Sequence, residues 1–263
     1  FCYDWLPKKD AAYDVLALFK RMHQGKMNGF ICQGFNPLAT VPNKNKLSAA
    51  LAKLKYLVII DPLETETGEF WKNFGPFNDV KSEGIQTEVF RLPSACFAEE
   101  QGSLTNSSRV ALWKERAIAP PGEAKTDSEI MARLFVKLRE MYAKEGGAFP
   151  EPIANLAWDY VQPHEPSPAE LLREISGRAI EDVLAPPNPK DPSAPRAVLV
   201  KAGQQVPGFA MLRDDGSTAC GNWLYSGCWT EAGNNTARRD LADPTGLGVY
   251  PQFGFSWPAN RRI

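Results

Sequence analysis

The chain has 263 residues, with 30 basic and 31 acidic side chains and a formal charge of −1. That balance excludes the strongly basic surface of a nucleic-acid binder, so no nucleic-acid partner is expected. A hydrophobic content of 43% allows a packed core, while a mean hydropathy of −0.33 and no apolar run near about 18 residues exclude a helical membrane span.

The length suits one large α/β domain or two modest ones. Five cysteines (Cys2, Cys32, Cys96, Cys220, Cys228) include no C-x-x-C pair, and only His23 and His164 stand beside them. A structural zinc or iron–sulfur cage is therefore poorly supplied, and the odd count is a poor disulfide framework. The chain opens on Phe1-Cys2-Tyr3 without a signal-like segment and stops at Arg261-Arg262-Ile263. That reads as a piece of a longer chain.

Asp10 is placed to cap a first helix, whose Val15, Leu18, Phe19 and Met22 follow the spacing of one buried face. Gly25 is placed to end it. The short apolar run Gly29-Phe30-Ile31-Cys32 predicts a buried strand, followed by a turn over Gln33-Gly34-Phe35-Asn36-Pro37. Leu47, Ala50, Leu51 and Leu54 predict a second helix. It feeds Tyr56-Leu57-Val58-Ile59-Ile60, apolar throughout like a parallel strand covered on both faces. Helix, strand, helix and strand within the first sixty or so residues predict a parallel sheet.

Residues 87–93 alternate like a further strand and stop at proline, and Cys96 to Arg109 read as a polar loop. Thr126 and Glu129 have the spacing of a capping box, opening a helix with Ile130, Leu134, Leu138 and Met141 on one face and Gly146-Gly147 at its end. The second half is different material. Residues 150–195 hold ten prolines, although Ser167-Pro168-x-Glu170 still predicts a capped helix. The run 185–192 is expected to be extended and exposed. From Gly203 onward, nine glycines and three tryptophans show no periodicity long enough for a core of their own.

Ligands of parallel sheets bind in the loops at the carboxyl ends of the strands. Two loops qualify, 33–40 and 61–68. Gly34 lets backbone approach a ligand closely, and Gln33 and Asn36 offer donors and acceptors. Asp61 can accept from a ribose or from the N1–H and amino group of guanine; Thr65 and Thr67 can contact a phosphate or cap the helix that follows. The same residue types also serve ordinary turns. There is no G-x-G-x-x-G and no P-loop signature. His23, His164, the Glu99-Glu100 pair and Arg238-Arg239-Asp240 read more readily as surface or structural groups than as catalysts, and Asp214-Asp215-Gly216 as a turn. Composition and spacing alone support a nucleotide-type binding domain and no catalytic constellation.

Longer motifs carry a resemblance. Gln33-Gly34-Phe35-Asn36-Pro37-Leu38, then 57–67, then Leu92-Pro93 with Glu99-Glu100-x-Gly102-Ser103-x-Thr105-Asn106-x-x-Arg109, then 122–127, together resemble large subunits of the molybdopterin-dependent oxidoreductases. Residues 158–166, 212–218, 227–231 and 237–240 make the chain similar to the respiratory formate dehydrogenases within that superfamily. The resemblance implies an α/β molybdopterin-guanine-dinucleotide-binding portion over 1–148. A Pro/Gly-rich irregular extension over 149–263 would pack on other parts of a longer subunit.

It further implies a bis(molybdopterin guanine dinucleotide) cofactor with molybdenum or tungsten, one half of which this chain would hold. Gln33, Gly34, Phe35 and Asn36 would lie by its pyrophosphate or pterin. Asp61, Thr65, Glu66 and Thr67 would hold ribose and guanine, and Glu100, Asn106 and Arg109 would approach the pterin. The Asn106-Ser107-Ser108-Arg109 run departs from the superfamily's usual pattern. No residue here matches the family's metal ligand or its [4Fe–4S] cysteines, so no catalytic or metal residue is assigned. The implied partners are formate, the rest of the large subunit, an iron–sulfur β subunit and a membrane cytochrome b γ subunit, in the periplasm. The rival expectations are a non-catalytic nucleotide-binding or scaffold module, or another molybdopterin oxidoreductase such as a nitrate reductase.

Overall fold

The structure, a computed structural model, describes residues 14–72, 81–105 and 111–237. Asp10, Asn106, Arg109, the Arg238–Asp240 cluster and the remainder of the glycine-rich tail lie outside the described residues. The chain divides into two compact units. Of the described residues, the first unit takes 14–72, 81–100 and 117–157, and the second takes 101–105, 111–116 and 158–237. A hairpin leaves the first half to join the second unit, while 149–157 stay with the first.

The first unit is α/β. Helix α1 (Val15–His23) is capped by Asp14, whose side chain accepts from the Ala17 N–H at 2.7 Å. Its basic last turn, Lys20, Arg21 and His23, complements the helix dipole, and Gly25 follows at φ 69°. Strand β1 (Gly29–Gln33) leads into a one-turn helix α2 (Pro37–Thr40) and then helix α3 (Lys44–Leu51). Strands β2 (Tyr56–Asp61) and β3 (Glu88–Pro93) complete a three-stranded sheet of order β1-β2-β3, parallel throughout.

In register, Cys32 lies beside Ile59 and Ile59 beside Arg91, so alternate residues share a face. Cys32, Leu57 and Ile59 on one face form a single core with Phe19, Met22, Leu47, Ala50, Leu51 and Phe70 from the helical segments. The other face is less covered than an all-apolar β2 suggests. Ile60 is fully buried, yet Ile31 and Phe90 are about half exposed.

Beyond β3 the chain returns so that Ser94 and Lys125 pair in parallel, with the Ala95 N–H donating to the Lys125 carbonyl at 2.7 Å. Helix α4 (Asp127–Glu145) follows, and a one-turn helix α5 (Glu151–Ala154) packs on it through the Arg139 side chain, which donates to the Ile153 carbonyl at 2.9 Å. The Thr126 side chain accepts from the Glu129 N–H as expected. The Glu129 carboxylate does not close the box, because Arg133 at 2.7 Å takes it instead. Ile130 is buried, but Leu134, Leu138 and Met141 on the same face are exposed.

The second unit is built from short pieces. Part of the expected polar loop is strand β4 (Gly102–Thr105), paired antiparallel with β5 (Ala111–Lys114). Helix α6 (Pro168–Ile175) carries the full capping box between Ser167 and Glu170. Two-residue and three-residue strands follow as antiparallel pairs: β6 (Arg178–Ala179) with β9 (Thr218–Ala219), and β7 (Val183–Leu184) with β8 (Val198–Val200). β10 (Trp229–Thr230) pairs with β11 (Gly233–Asn234). The exposed 185–192 run turns at Asn188 and Asp191, which form a bridge, so it is not extended throughout.

Two small cores lie inside this unit, Ala111, Trp113, Leu172 and Cys228 in one, Ala179, Val183, Val200 and Val206 in the other. The stretch after Gly203 thus contributes buried residues without any periodicity. Close approach of backbone replaces it. A Cβ on Gly177 would stand 2.4 Å from Val206, and one on Gly227 (φ 90°) would stand 2.4 Å from the Pro207 carbonyl oxygen.

Candidate functional site

The carboxyl ends of β1, β2 and β3 carry the motif residues of the first unit. After β1 the Gly34 N–H donates to the Ile60 carbonyl at 2.9 Å, which continues the ladder one residue past the strand. Gly34 then turns at φ 57°, with no atom within 4 Å of where a Cβ would stand. Its backbone and the exposed Gln33 side chain therefore face open space. Phe35 packs against the core, and its carbonyl accepts from the Cys32 thiol at 2.9 Å. Burial and the nearby Asp61 carboxylate push that thiol up to about 11.

Asn36 and Thr67 tie this loop to the one after β2. The Thr67 hydroxyl donates to Asn36 Oδ1 at 2.8 Å and accepts from the Leu38 N–H at 3.1 Å. Asn36 Nδ2 in turn donates to Glu66 Oε2 at 2.5 Å. That bond holds the Glu66 carboxyl below its ordinary range. Thr67 is fully buried. Its hydroxyl ties the two loops and does not cap the helical turn that follows, and the side-chain amide of Asn36 is committed at both ends.

Asp61 closes β2. Its Oδ1 accepts from the Leu63 N–H at 2.9 Å, a local turn that directs residues 62–64. Thr65 Oγ1 accepts from the Gly68 N–H at 3.4 Å, capping the short helical turn over 67–72. Beside Asp61 opens a cleft of about 330 Å³ lined by Ile59, Pro62, Leu63, Glu64, Arg91 and Pro93. Its size is at the lower end of small-ligand sites. Arg91 is a group that spacing did not single out. It sat within an alternating strand pattern, and only the parallel register, with Arg91 beside Ile59 and Pro93 beside Asp61, shows that it shares Asp61's face.

Glu99 Oε2 accepts from the Cys96 N–H at 2.9 Å, so it braces its own turn, and Glu100 beside it is half-buried. The 122–127 motif reaches the same edge through the Ser94–Lys125 pairing. There one carboxylate oxygen of Asp127 is buried with no partner among the described residues. An orphaned acceptor, an open glycine turn and a carboxylate beside a cleft fit a ligand rich in N–H and O–H donors, as a guanine dinucleotide is. Asn106 and Arg109 lie outside the described residues. Among the described residues no group of three or more His, Cys, Asp or Glu could hold a metal ion, and no helix is long and apolar enough to cross a membrane.

No protein-family model matches the chain. Individual proteins do. Over 99% of its length it is 54% identical to the formate dehydrogenase-O major subunit of Escherichia coli (strain K12). Over its whole length it is 38% identical to formate dehydrogenase 2 subunit alpha (cytochrome c-553) of Nitratidesulfovibrio vulgaris. Similarity to the nitrate reductase of Klebsiella oxytoca is 29% and covers 44% of the chain. The chain spans 25% of the length of both formate dehydrogenase subunits. Near-complete coverage at this identity, set against a partial match to nitrate reductase, places the chain among the formate dehydrogenase major subunits, as a segment of about a quarter of such a subunit.

Proposed function

We propose that this chain is the part of a formate dehydrogenase major subunit that holds one dinucleotide half of a bis(molybdopterin guanine dinucleotide) cofactor. The observation that carries the reading is the pair of loops at the carboxyl ends of adjacent parallel strands, with Gly34 open on one and Asp61 beside a cleft on the other. The bound metal–pterin group supplies the two-electron chemistry that converts formate to carbon dioxide. This chain's residues bind and orient. Asp61 accepts from the guanine or ribose, Gln33 and the Gly34 backbone lie along the pyrophosphate or pterin, and Glu66 and Thr65 border the ribose. Asn36 and Thr67 hold the two loops at a fixed separation, and Phe35 anchors the first loop in the core. Glu100 is the group of the first unit offered to the pterin.

In the same reading molybdenum or tungsten and a [4Fe–4S] centre are held by other parts of the subunit. Electrons leave through an iron–sulfur β subunit towards a membrane cytochrome b γ subunit, in the periplasm.

Replacing Asp61 tests the reading in the full-length enzyme. Truncating one partner of a buried, charge-assisted pair costs about 2–5 kcal/mol, part of which a second dinucleotide would mask. Asp61→Ala is expected to lower molybdenum or tungsten content and to release guanine nucleotide at lower denaturant. Unchanged metal and nucleotide retention would remove Asp61 from the cofactor site.

A further inference from the structure

Among the described residues that line the cleft beside Asp61, Arg91 is the single cation. Its guanidinium is held from two sides, and the two holds are unequal. Nη2 lies 2.8 Å from Glu64 Oε1, a carboxylate whose side chain is 69% exposed. Nη1 lies 3.8 Å from Glu69 Oε1, on a side chain only 14% exposed. Glu69 also pairs with Lys72, so it is fixed within its own turn. Glu64 sits on the loop directed by the Asp61 turn and, among the described residues, pairs with Arg91 alone. An exposed pair of the Glu64 kind contributes little to stability and is readily exchanged. A phosphate oxygen accepting from the planar guanidinium fork makes a stronger contact.

We propose that Arg91 is an anion-binding residue of this cleft that contacts a phosphate of a guanine nucleotide whose base or ribose is held by Asp61, and that Glu64 is its built-in competitor. The proposal rests on the nucleotide-binding reading above. Glu64 occupies the outer edge of the fork. On binding, the phosphate displaces Glu64 into solvent while Glu69 keeps the guanidinium oriented. Glu64 thereby sets a threshold: a ligand without a phosphate gains nothing from Arg91, and one with a phosphate must outcompete a carboxylate.

The test is titration of the cofactor-free full-length subunit with GDP and with guanosine, by calorimetry, for the unaltered chain and for Arg91→Gln, Arg91→Lys and Glu64→Gln. Circular dichroism confirms that each variant is folded. Arg91→Gln is expected to weaken GDP binding about tenfold or more, and Arg91→Lys to weaken it less, because the charge survives and the fork does not. Glu64→Gln is expected to tighten GDP severalfold, and guanosine binding is expected to be the same in all four proteins. Raising the salt concentration is expected to weaken GDP in the unaltered chain more than in Arg91→Gln. GDP binding that is unchanged in Arg91→Gln and Glu64→Gln overturns the assignment of Arg91 and leaves the nucleotide site standing. Failure of both GDP and guanosine to bind the unaltered chain overturns the nucleotide site, and the role of Arg91 with it.

Discussion

The two units of this chain reach a packed interior by different means. In the first, apolar residues recur at helical and strand spacing, and one continuous core runs from Phe19 to Phe70 beneath three parallel strands. Among the described residues of the second, the strands are two to four residues long, every strand pair is antiparallel, and the interior is two small clusters. Backbone approach takes the place of side-chain periodicity there. Gly177, Gly221 and Gly227 stand where a Cβ would meet a neighbour at 3.0 Å or less. Glycine in the second unit is therefore a packing residue, in the sense that its missing side chain is what the neighbour occupies.

Substitutions that strike one means and spare the other sharpen this contrast. The largest effect is expected for Leu57→Ala, where a fully buried side chain leaves a cavity beneath the sheet. The cost is about 3–4 kcal/mol, read as loss of amide protection over β1, β2 and β3. Gly227→Ala adds a methyl group to a left-handed position against the Pro207 carbonyl. Strain and overpacking together cost about 3 kcal/mol, read as lost protection around Ser226 and Cys228. If Gly227→Ala were as stable as the unaltered chain, close backbone approach would not be what packs the second unit.

Asn36→Ala severs both ends of the loop tie and strands the buried Thr67 hydroxyl, for about 1–2 kcal/mol. Its readout is faster amide exchange at Leu38 and Gly68.

The smallest effects come from the buried thiols, one in each unit. Burial raises Cys32 to about 11 and Cys228 to about 12. An unfolded thiol ionises near pH 9, so between that value and the folded one the unfolded chain holds fewer protons than the native one. Stability contributed by each thiol is complete below about pH 9 and declines as pH rises towards 11 for Cys32 and towards 12 for Cys228. Cys32→Ala and Cys228→Ala should each flatten that alkaline decline. Cys96 and Cys220, half-exposed, should alkylate first at neutral pH. The relative labelling rates of Cys32 and Cys228 then report which unit opens more readily.

The sequence was readable where a period exists. β1, β2, β3, α1, α3, α4 and α6 all follow from spacing and capping residues, and the loops 33–40 and 61–68 follow from strand ends. The cap of α1 moved from Asp10 to Asp14, because Asp14 is the residue whose carboxylate reaches the Ala17 N–H. Hairpin β4–β5 was hidden because Gly102-Ser103-Leu104-Thr105 has a single large apolar side chain, so its partner strand, not its own pattern, makes it a strand. At the strand ends, the positions of Asp61 and Gly34 were legible from residue type and spacing. The division of labour between Thr65 and Thr67 was not, since burial decides it and both carry the same hydroxyl. Arg91 needed the register of β3 against β2.

The tie between the two loops has a sense as well as a strength. The Leu38 N–H gives to the Thr67 hydroxyl, the Thr67 hydroxyl gives to the Asn36 side-chain oxygen Oδ1, and the Asn36 side-chain Nδ2 gives to the Glu66 carboxylate. Every donor points the same way, towards a negative charge at the rim. Each bond in such a chain polarises the next, so the anion at Glu66 strengthens a contact three residues' worth of hydrogen bonds away, at the start of α2. Protonating or neutralising Glu66 would loosen the whole line from its end. A single exposed carboxylate thus governs the stiffness of a joint that lies buried beneath it.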